Sequence, residues 1–334
     1  MVEAVSAIEE IDSTVGSAWR HRHLLDVDVL TWPEIELVLR TADSMREILA
    51  RPIAKVPALR GSTVTILFYE ASTRTRVSFE LAAKALSADV VNIAVATSSV
   101  AKGESLLDTV RTIEALGSST LVIRHSVSGA PYLAASEFGG SVINAGDGWH
   151  AHPTQALLDL ATIRAHLPGG VKGRKVVILG DVLHSRVARS NLWTLTAGGA
   201  DVWLCGPSTL LRGFEAWAAA SSAGERRFTV TSDVSAALRD ADVVMALRIQ
   251  KERMEGGLLP SLREYAARFG LTRERLALAR EGALVMHPGP MNEGVEIAPD
   301  VAVSAQSRIT DQVTNGVAIR MALLYLLAGV RDGG

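Results

Sequence analysis

The period of the hydrophobic pattern changes repeatedly along the chain. Ile35, Val38, Leu39, Ala42, Met45, Ile48 and Leu49 recur at helical spacing behind Thr31-Trp32-Pro33, which predicts an amphipathic helix over 33–50. Apolar, β-branched runs at 63–69, 89–96, 120–123 and 141–144 read as strands, with helices over about 74–86, 106–116 and 131–138 between them. Ala145-Gly146-Asp147-Gly148 then reads as a tight glycine-rich loop, and Pro153 opens a helix reaching about His166. Leu167-Pro168-Gly169-Gly170 breaks the pattern. Beyond it, strands at 175–179, 201–205, 229–232, 243–247 and 283–286 alternate with helical segments. The last periodic stretch, 311–327, places Val313, Val317, Met321 and Leu324 on one face and Ile319, Leu323 and Leu326 on another, so this helix is expected to be buried on both.

Alternating strands and helices on either side of a breaker predict an α/β protein of two domains, each a mostly parallel sheet flanked by helices. The first domain is expected to span 21–152 plus 308–330, with the C-terminal helix returning to it. A linking helix covers 153–167 and the second domain 168–307. Residues 1–20 lack an apolar period and are expected to form a mobile extension.

Composition narrows the function. A chain of 334 residues with 48% hydrophobic content can fill two cores. A formal charge of −2, from 34 basic and 36 acidic residues, gives no reason to propose nucleic acid or a membrane as partner. The apolar run 321–330 is short for a bilayer span, and Glu3, Glu9, Glu10 and Asp12 stand where a signal peptide would be basic. The single cysteine, Cys205, excludes an intrachain disulfide and cysteine-cluster metal sites, which favours a reducing, cytoplasmic setting. It lies within a strand and is expected to be a buried structural thiol.

Chemistry concentrates first in Glu70-Ala71-Ser72-Thr73-Arg74-Thr75-Arg76, between a strand and a helix. A helix N-terminus offers outward N–H groups and partial positive charge, a natural anion cradle. An ordinary cap by Ser72 with two solvated arginines is the plainer alternative. Alternating hydroxyls and arginines over five positions supply more donors than a cap needs, which favours an anion. Gly180-Asp181-Val182-Leu183-His184-Ser185 also follows a strand but carries only the first glycine of a dinucleotide fingerprint, so a nicotinamide cofactor is not expected.

Ser72-Thr73-Arg74-Thr75-Arg76, Lys102-Gly103-Glu104-Ser105, Ile123-Arg124-His125, His152-Pro153-Thr154-Gln155, Arg186, Arg248-Ile249-Gln250 and His287-Pro288-Gly289-Pro290 together resemble the transcarbamoylase family. Within it they are most similar to the catalytic chains of aspartate transcarbamoylases, in order from about residue 20 to the C-terminus. The resemblance implies transfer of the carbamoyl group of carbamoyl phosphate to L-aspartate, the committed step of pyrimidine synthesis, with no metal or organic cofactor. Ser72, Thr73, Arg74 and Thr75 would hold the phosphate, Arg124, His152 and Gln155 would complete that half, and Pro288 and Gly289 would line the site with backbone. Arg186, Arg248 and Gln250 would bind aspartate. Ser98 and Lys102 match a loop that enters a neighbouring subunit's site, which implies a homotrimer with shared sites. Regulatory chains or a dihydroorotase are further partners found in the family.

Taken alone, His152 could be a helix-start histidine bonded to nearby backbone, and Arg248 and Lys102 could be solvated loop charges. His287, Arg76, Glu104 and Arg111 are expected to be structural, and Gly289-Pro290 is a candidate cis peptide. An ornithine enzyme is the nearest rival. Two arginines at the co-substrate positions suit a dicarboxylate instead. A non-catalytic anion-binding homologue is the other, although every expected polar position is filled.

Overall fold

The computed structural model describes residues 19–94, 103–221, 228–250 and 257–332. The chain divides into two compact units, Met1–Leu157 with Val313–Gly334, and Leu158–Gln312. The two divisions fall inside the expected linking helix and inside the last helix.

In the first unit, helix α1 (Trp32–Leu49) begins at Thr31, whose N–H and hydroxyl both donate to the Glu34 carboxylate at 2.8 and 2.7 Å. Six of its seven predicted core positions are buried, and Leu37 and Thr41 are buried as well. There follow β1 (Thr63–Phe68), α2 (Thr73–Ala85), β2 (Asp89–Ala94), α3 (Leu106–Ala115), β3 (Thr120–His125), α4 (Ala130–Glu137) and β4 (Ser141–Asp147). The strands form a parallel sheet in the order β2-β1-β3-β4. Leu67, Leu121, Ile123 and Val142 from the sheet pack with Val110, Ile113 and Ala134 from the helices and with Phe138, just past the end of α4. Helix α5 (Pro153–His166) starts in this unit and ends in the next.

The second unit continues with β5 (Lys175–Leu179), α6 (Arg186–Ala197), β6 (Asp201–Cys205), a 3-10 turn at Ser208–Leu210, α7 (Phe214–Ser221) and β7 (Phe228–Thr231). Helix α8 (Val234–Leu238), β8 (Val243–Ala246), α9 (Leu262–Phe269), α10 (Arg273–Leu276), β9 (Leu284–Met286) and α11 (Pro299–Ala302) complete it. Its five parallel strands run β7-β6-β5-β8-β9. Both sheets are parallel and carry helical crossovers, the expected α/β class. Cys205 is fully buried in the core of this unit, and burial pushes its thiol up to about 12, as a structural cysteine requires.

The last helix, α12 (Ile309–Asp332), is longer than predicted. From Val313 onward it belongs to the first unit, where Ile319, Met321, Leu323, Leu324, Leu326 and Leu327 are all buried. Val313 is 48% exposed and leaves its predicted apolar face. Residues Ile309–Val330 are long and apolar enough to cross a membrane, but 61% of that window is buried inside the protein, as in a core helix. Two further corrections concern the first unit. Trp19 is buried and donates its indole N–H to the His21 carbonyl at 3.0 Å, so the unanchored stretch cannot extend to residue 20; residues 1–18 lie outside the described residues. Strand β4 also runs through Ala145 and Gly146 to Asp147, because that segment pairs with β3 as far as His125 instead of turning.

Candidate active site

Parallel strands deliver their carboxyl ends to one edge of a sheet, and ligands of open α/β sheets bind there. In the first unit β1, β3 and β4 are neighbours, so the segments bearing Ser72–Thr75, Arg124 and His152–Gln155 leave the sheet side by side. Ser72 holds the N-cap position of α2 in extended conformation, yet its side chain makes no capping bond. Its hydroxyl instead donates to Thr75 Oγ1 at 3.0 Å. The plain helix-cap reading therefore fails for Ser72. Thr75 is buried, while Thr73 and Arg74 are exposed. Desolvation by the surrounding protein lowers the Arg74 guanidinium from its ordinary value, the cost of holding a cation at this site. Arg76 is exposed and its charge helps lower Glu80, behind the Lys84 ammonium that bonds the same carboxylate at 2.6 Å.

Arg124 is the penultimate residue of β3 and is buried. Nη1 donates to the Ala145 carbonyl at 3.1 Å and Nη2 to Glu70 Oε1 at 2.6 Å. An acidic residue from the loop after β1, two positions before Ser72, thus fixes the guanidinium of this arginine near the end of its strand. His152 and Gln155 are buried at the start of α5, where the Gln155 and Ala156 N–H groups bond the His152 carbonyl at 3.0 and 3.3 Å.

The loop that presents His152 is knotted by Asp147, which is fully buried. Its carboxylate accepts from the Gly129 N–H at 2.7 Å, Asn144 Nδ2 at 2.8 Å, the Ala151 N–H at 3.1 Å and His150 Nδ1 at 3.1 Å. Burial alone would raise this carboxyl; the bonds from His150, Gly129 and Asn144 outweigh it and hold it below its ordinary value. Gly148 sits at φ +42°, with the Ser128 hydroxyl 2.3 Å from where a Cβ would be, so glycine is required there.

The second unit repeats the arrangement with β5, β8 and β9. Ser185 caps α6 by accepting from the Ala188 N–H at 3.1 Å, and Arg186 beside it is buried. Arg248 and Gln250 follow β8. Ile249 between them is fully buried, so Arg248 lies on an anchored loop, not a solvated one. Asp181 Oδ1 accepts from His184 Nδ1 at 2.8 Å and Oδ2 from the Gln250 N–H at 3.1 Å, tying the Arg186 turn to the Arg248–Gln250 loop. A Cβ at Gly180 would stand 2.8 Å from the Leu247 carbonyl, so the lone glycine of that motif serves close loop packing. After β9, Gly289-Pro290 is a cis peptide and Gly289 has φ +66°, a conformation that disfavours any side chain. His287 is buried, 3.2 Å from Glu296 Oε1, and accepts from the Gly289 N–H at 2.8 Å, a structural role.

These arrangements bring Ser72, Thr73, Arg74, Thr75, Arg124, His152 and Gln155 to one sheet end, and Arg186, Arg248, Gln250, Pro288 and Gly289 to the end of the other. Ser98 and Lys102 lie outside the described residues. Two family descriptions match the chain: the carbamoyl-phosphate-binding domain of aspartate/ornithine carbamoyltransferases over residues 22–165, and their aspartate/ornithine-binding domain over 172–327. The chain belongs to the aspartate/ornithine carbamoyltransferase family. Among curated members of that family, the aspartate carbamoyltransferase catalytic subunit of Roseiflexus sp. (strain RS-1) is 63% identical over 310 residues, 93% of this chain and 96% of the relative. That of Moorella thermoacetica is 57% identical, covering 93% and 98%. Aspartate transcarbamoylase of Trypanosoma cruzi, solved with carbamoyl phosphate and aspartate, superposes with a TM-score of 0.82 at 30% identity, covering 93% of this chain and 98% of that one.

Three residues that hold these segments in place, Glu70 and Asp147 in the first unit and Asp181 in the second, carry no local sequence signal of that role. Glu70 and Asp181 sit at the edges of motifs, and Asp147 lies in a stretch that reads as loop. Arg111 pairs with Glu137 at 2.9 Å and Asp108 at 3.5 Å.

Proposed function

We propose that this chain is an aspartate carbamoyltransferase, transferring the carbamoyl group of carbamoyl phosphate to the amino group of L-aspartate and releasing phosphate. The observation that carries the reading is the convergence of hydroxyl, guanidinium and imidazole donors from Ser72–Thr75, Arg124 and His152–Gln155 at one sheet end. Ser72, Thr73, Arg74 and Thr75 hold the phosphate, and Gln155 completes the pocket. Attack by the amine places negative charge on the carbamoyl oxygen, which Thr75, Arg124 and His152 stabilise, each donor contributing about 3 kcal/mol. Phosphate leaves readily, so positioning and charge compensation carry the rate without a protein nucleophile. Arg186, Arg248 and Gln250 take the two carboxylates of aspartate, and the backbone of Pro288 and Gly289 lines the site.

The functional unit is a homotrimer in which Ser98 and Lys102 of one subunit serve its neighbour. Exposed Val77 and Leu81 on α2 support this, with exposed Val91 on the sheet-edge strand β2, which leads into residues 95–102. A reducing, cytoplasmic setting agrees with the single buried thiol.

Incubation with carbamoyl phosphate and either aspartate or ornithine tests the reaction; absence of carbamoyl aspartate from folded protein refutes it. Mixing Lys102→Ala with Arg74→Ala subunits tests sharing. Hybrid trimers are expected to recover activity that neither parent has, and no recovery counts against shared sites.

A further inference from the structure

Helix α12 carries one charged residue in its buried stretch, Arg320, 3% exposed between Ile319 and Met321. Its Nη1 donates to Ser78 Oγ at 2.6 Å and its Nη2 to Thr154 Oγ1 at 3.4 Å, while its Cζ lies 5.0 Å from the Phe79 ring centroid. Ser78, Phe79 and Thr154 are themselves buried. Ser78 stands one helical turn beyond Thr75, and Thr154 lies between His152 and Gln155. One guanidinium therefore grips the second turn of α2 and the first turn of α5 together.

We propose that Arg320 is a positioning residue for the phosphate site, fixing the distance between the Thr73–Thr75 turn and the His152–Gln155 turn. Its planar fork reaches two hydroxyls in fixed directions, which a lysine cannot do. A buried cation is also costly to place in a core helix, and a leucine would serve packing better. Its positive charge, behind both turns, adds to the field of two helix N-termini that an incoming phosphate meets. This inference rests on the proposed reaction and sharpens which groups make its phosphate half rigid.

The test compares the full-length protein with Arg320→Lys, Arg320→Met and the double variant Ser78→Ala/Thr154→Val. Each is measured for inorganic phosphate binding by calorimetry, for KM of each substrate, for kcat and for thermal unfolding. Arg320→Met is expected to weaken phosphate binding and raise the carbamoyl phosphate KM by roughly tenfold or more, the worth of one lost charge-assisted bond. The aspartate KM should change less. Arg320→Lys restores the charge but only one bond, so it should fall between. Should the Met variant not fold, the double variant, which removes both grips and keeps the cation, is expected to show the same selective phosphate defect. Variants that lose thermal stability but bind phosphate as the parent does would reduce Arg320 to a packing role and overturn the proposal. A parent protein that neither binds phosphate nor transfers the carbamoyl group would instead refute the reaction itself.

Discussion

Beneath the loop that presents His152, a buried acid should make stability depend on pH in an unusual direction. Asp26 is 5% exposed; its Oδ1 accepts from the Val27 N–H at 2.7 Å and its Oδ2 lies 3.5 Å from His150 Nε2. Burial raises its carboxyl from 3.8 to about 6, aided by the negative charges of Asp28 and Asp147 and opposed by the Val27 N–H and His150. Above about pH 6 Asp26 is ionised in both folded and unfolded chains, and folding bears the full cost of burying the charge. Below about pH 4 it is neutral in both and the cost vanishes. The stability gained on protonation is thus fully present at low pH and is lost as pH rises through the folded pKa. A shift of about two units at about 1.4 kcal/mol each gives about 3 kcal/mol. Asp26→Asn keeps the acceptor for Val27 and cannot ionise. At pH 8 it should be the more stable protein by up to about 3 kcal/mol, and at pH 4 nearly equal to the parent. Urea midpoints at fixed protein concentration across this range measure the difference. A gap that stays constant from pH 4 to 8 would refute the titration of Asp26. His150→Gln supplies a control: removing the cation should raise the Asp26 carboxyl further and shift the transition to higher pH.

The other expectations concern the two substrate halves and one close contact. Thr75→Val, which removes the buried hydroxyl while keeping its shape, should lower kcat by roughly a hundredfold or more with an unchanged circular dichroism spectrum. Arg248→Met should raise the aspartate KM by about tenfold or more while leaving inorganic phosphate binding intact, a split that calorimetry and initial rates resolve. Gly140→Ala should destabilise the first unit by about 1–3 kcal/mol in urea unfolding, since its Cβ would stand 2.3 Å from the Ser119 carbonyl and 2.6 Å from the Phe138 ring.

The residues that touch substrate in the proposed reaction were legible because each depends on a short stretch of backbone. A helix N-terminus needs its hydroxyls and arginines within a few positions, so Ser72–Thr75 and His152–Gln155 appear as compact motifs. Strand periods were legible for the same reason, since burial in a parallel sheet leaves continuous apolar runs. The residues that hold those motifs against one another obey no such locality. Arg320 reaches Ser78 across 242 positions and Thr154 across 166, and nothing at either hydroxyl announces a distant partner. Asp147 was hidden differently: its segment has loop composition, and only pairing with β3 draws it into the sheet and buries it. One signal did survive in the chain, an arginine set between the apolar stretches 317–319 and 321–324 of one helix. Burying a cation there costs free energy that packing does not return. Its presence at the back of two anion-cradling helix starts makes sense if the orientation of those starts matters more than the stability of the helix behind them.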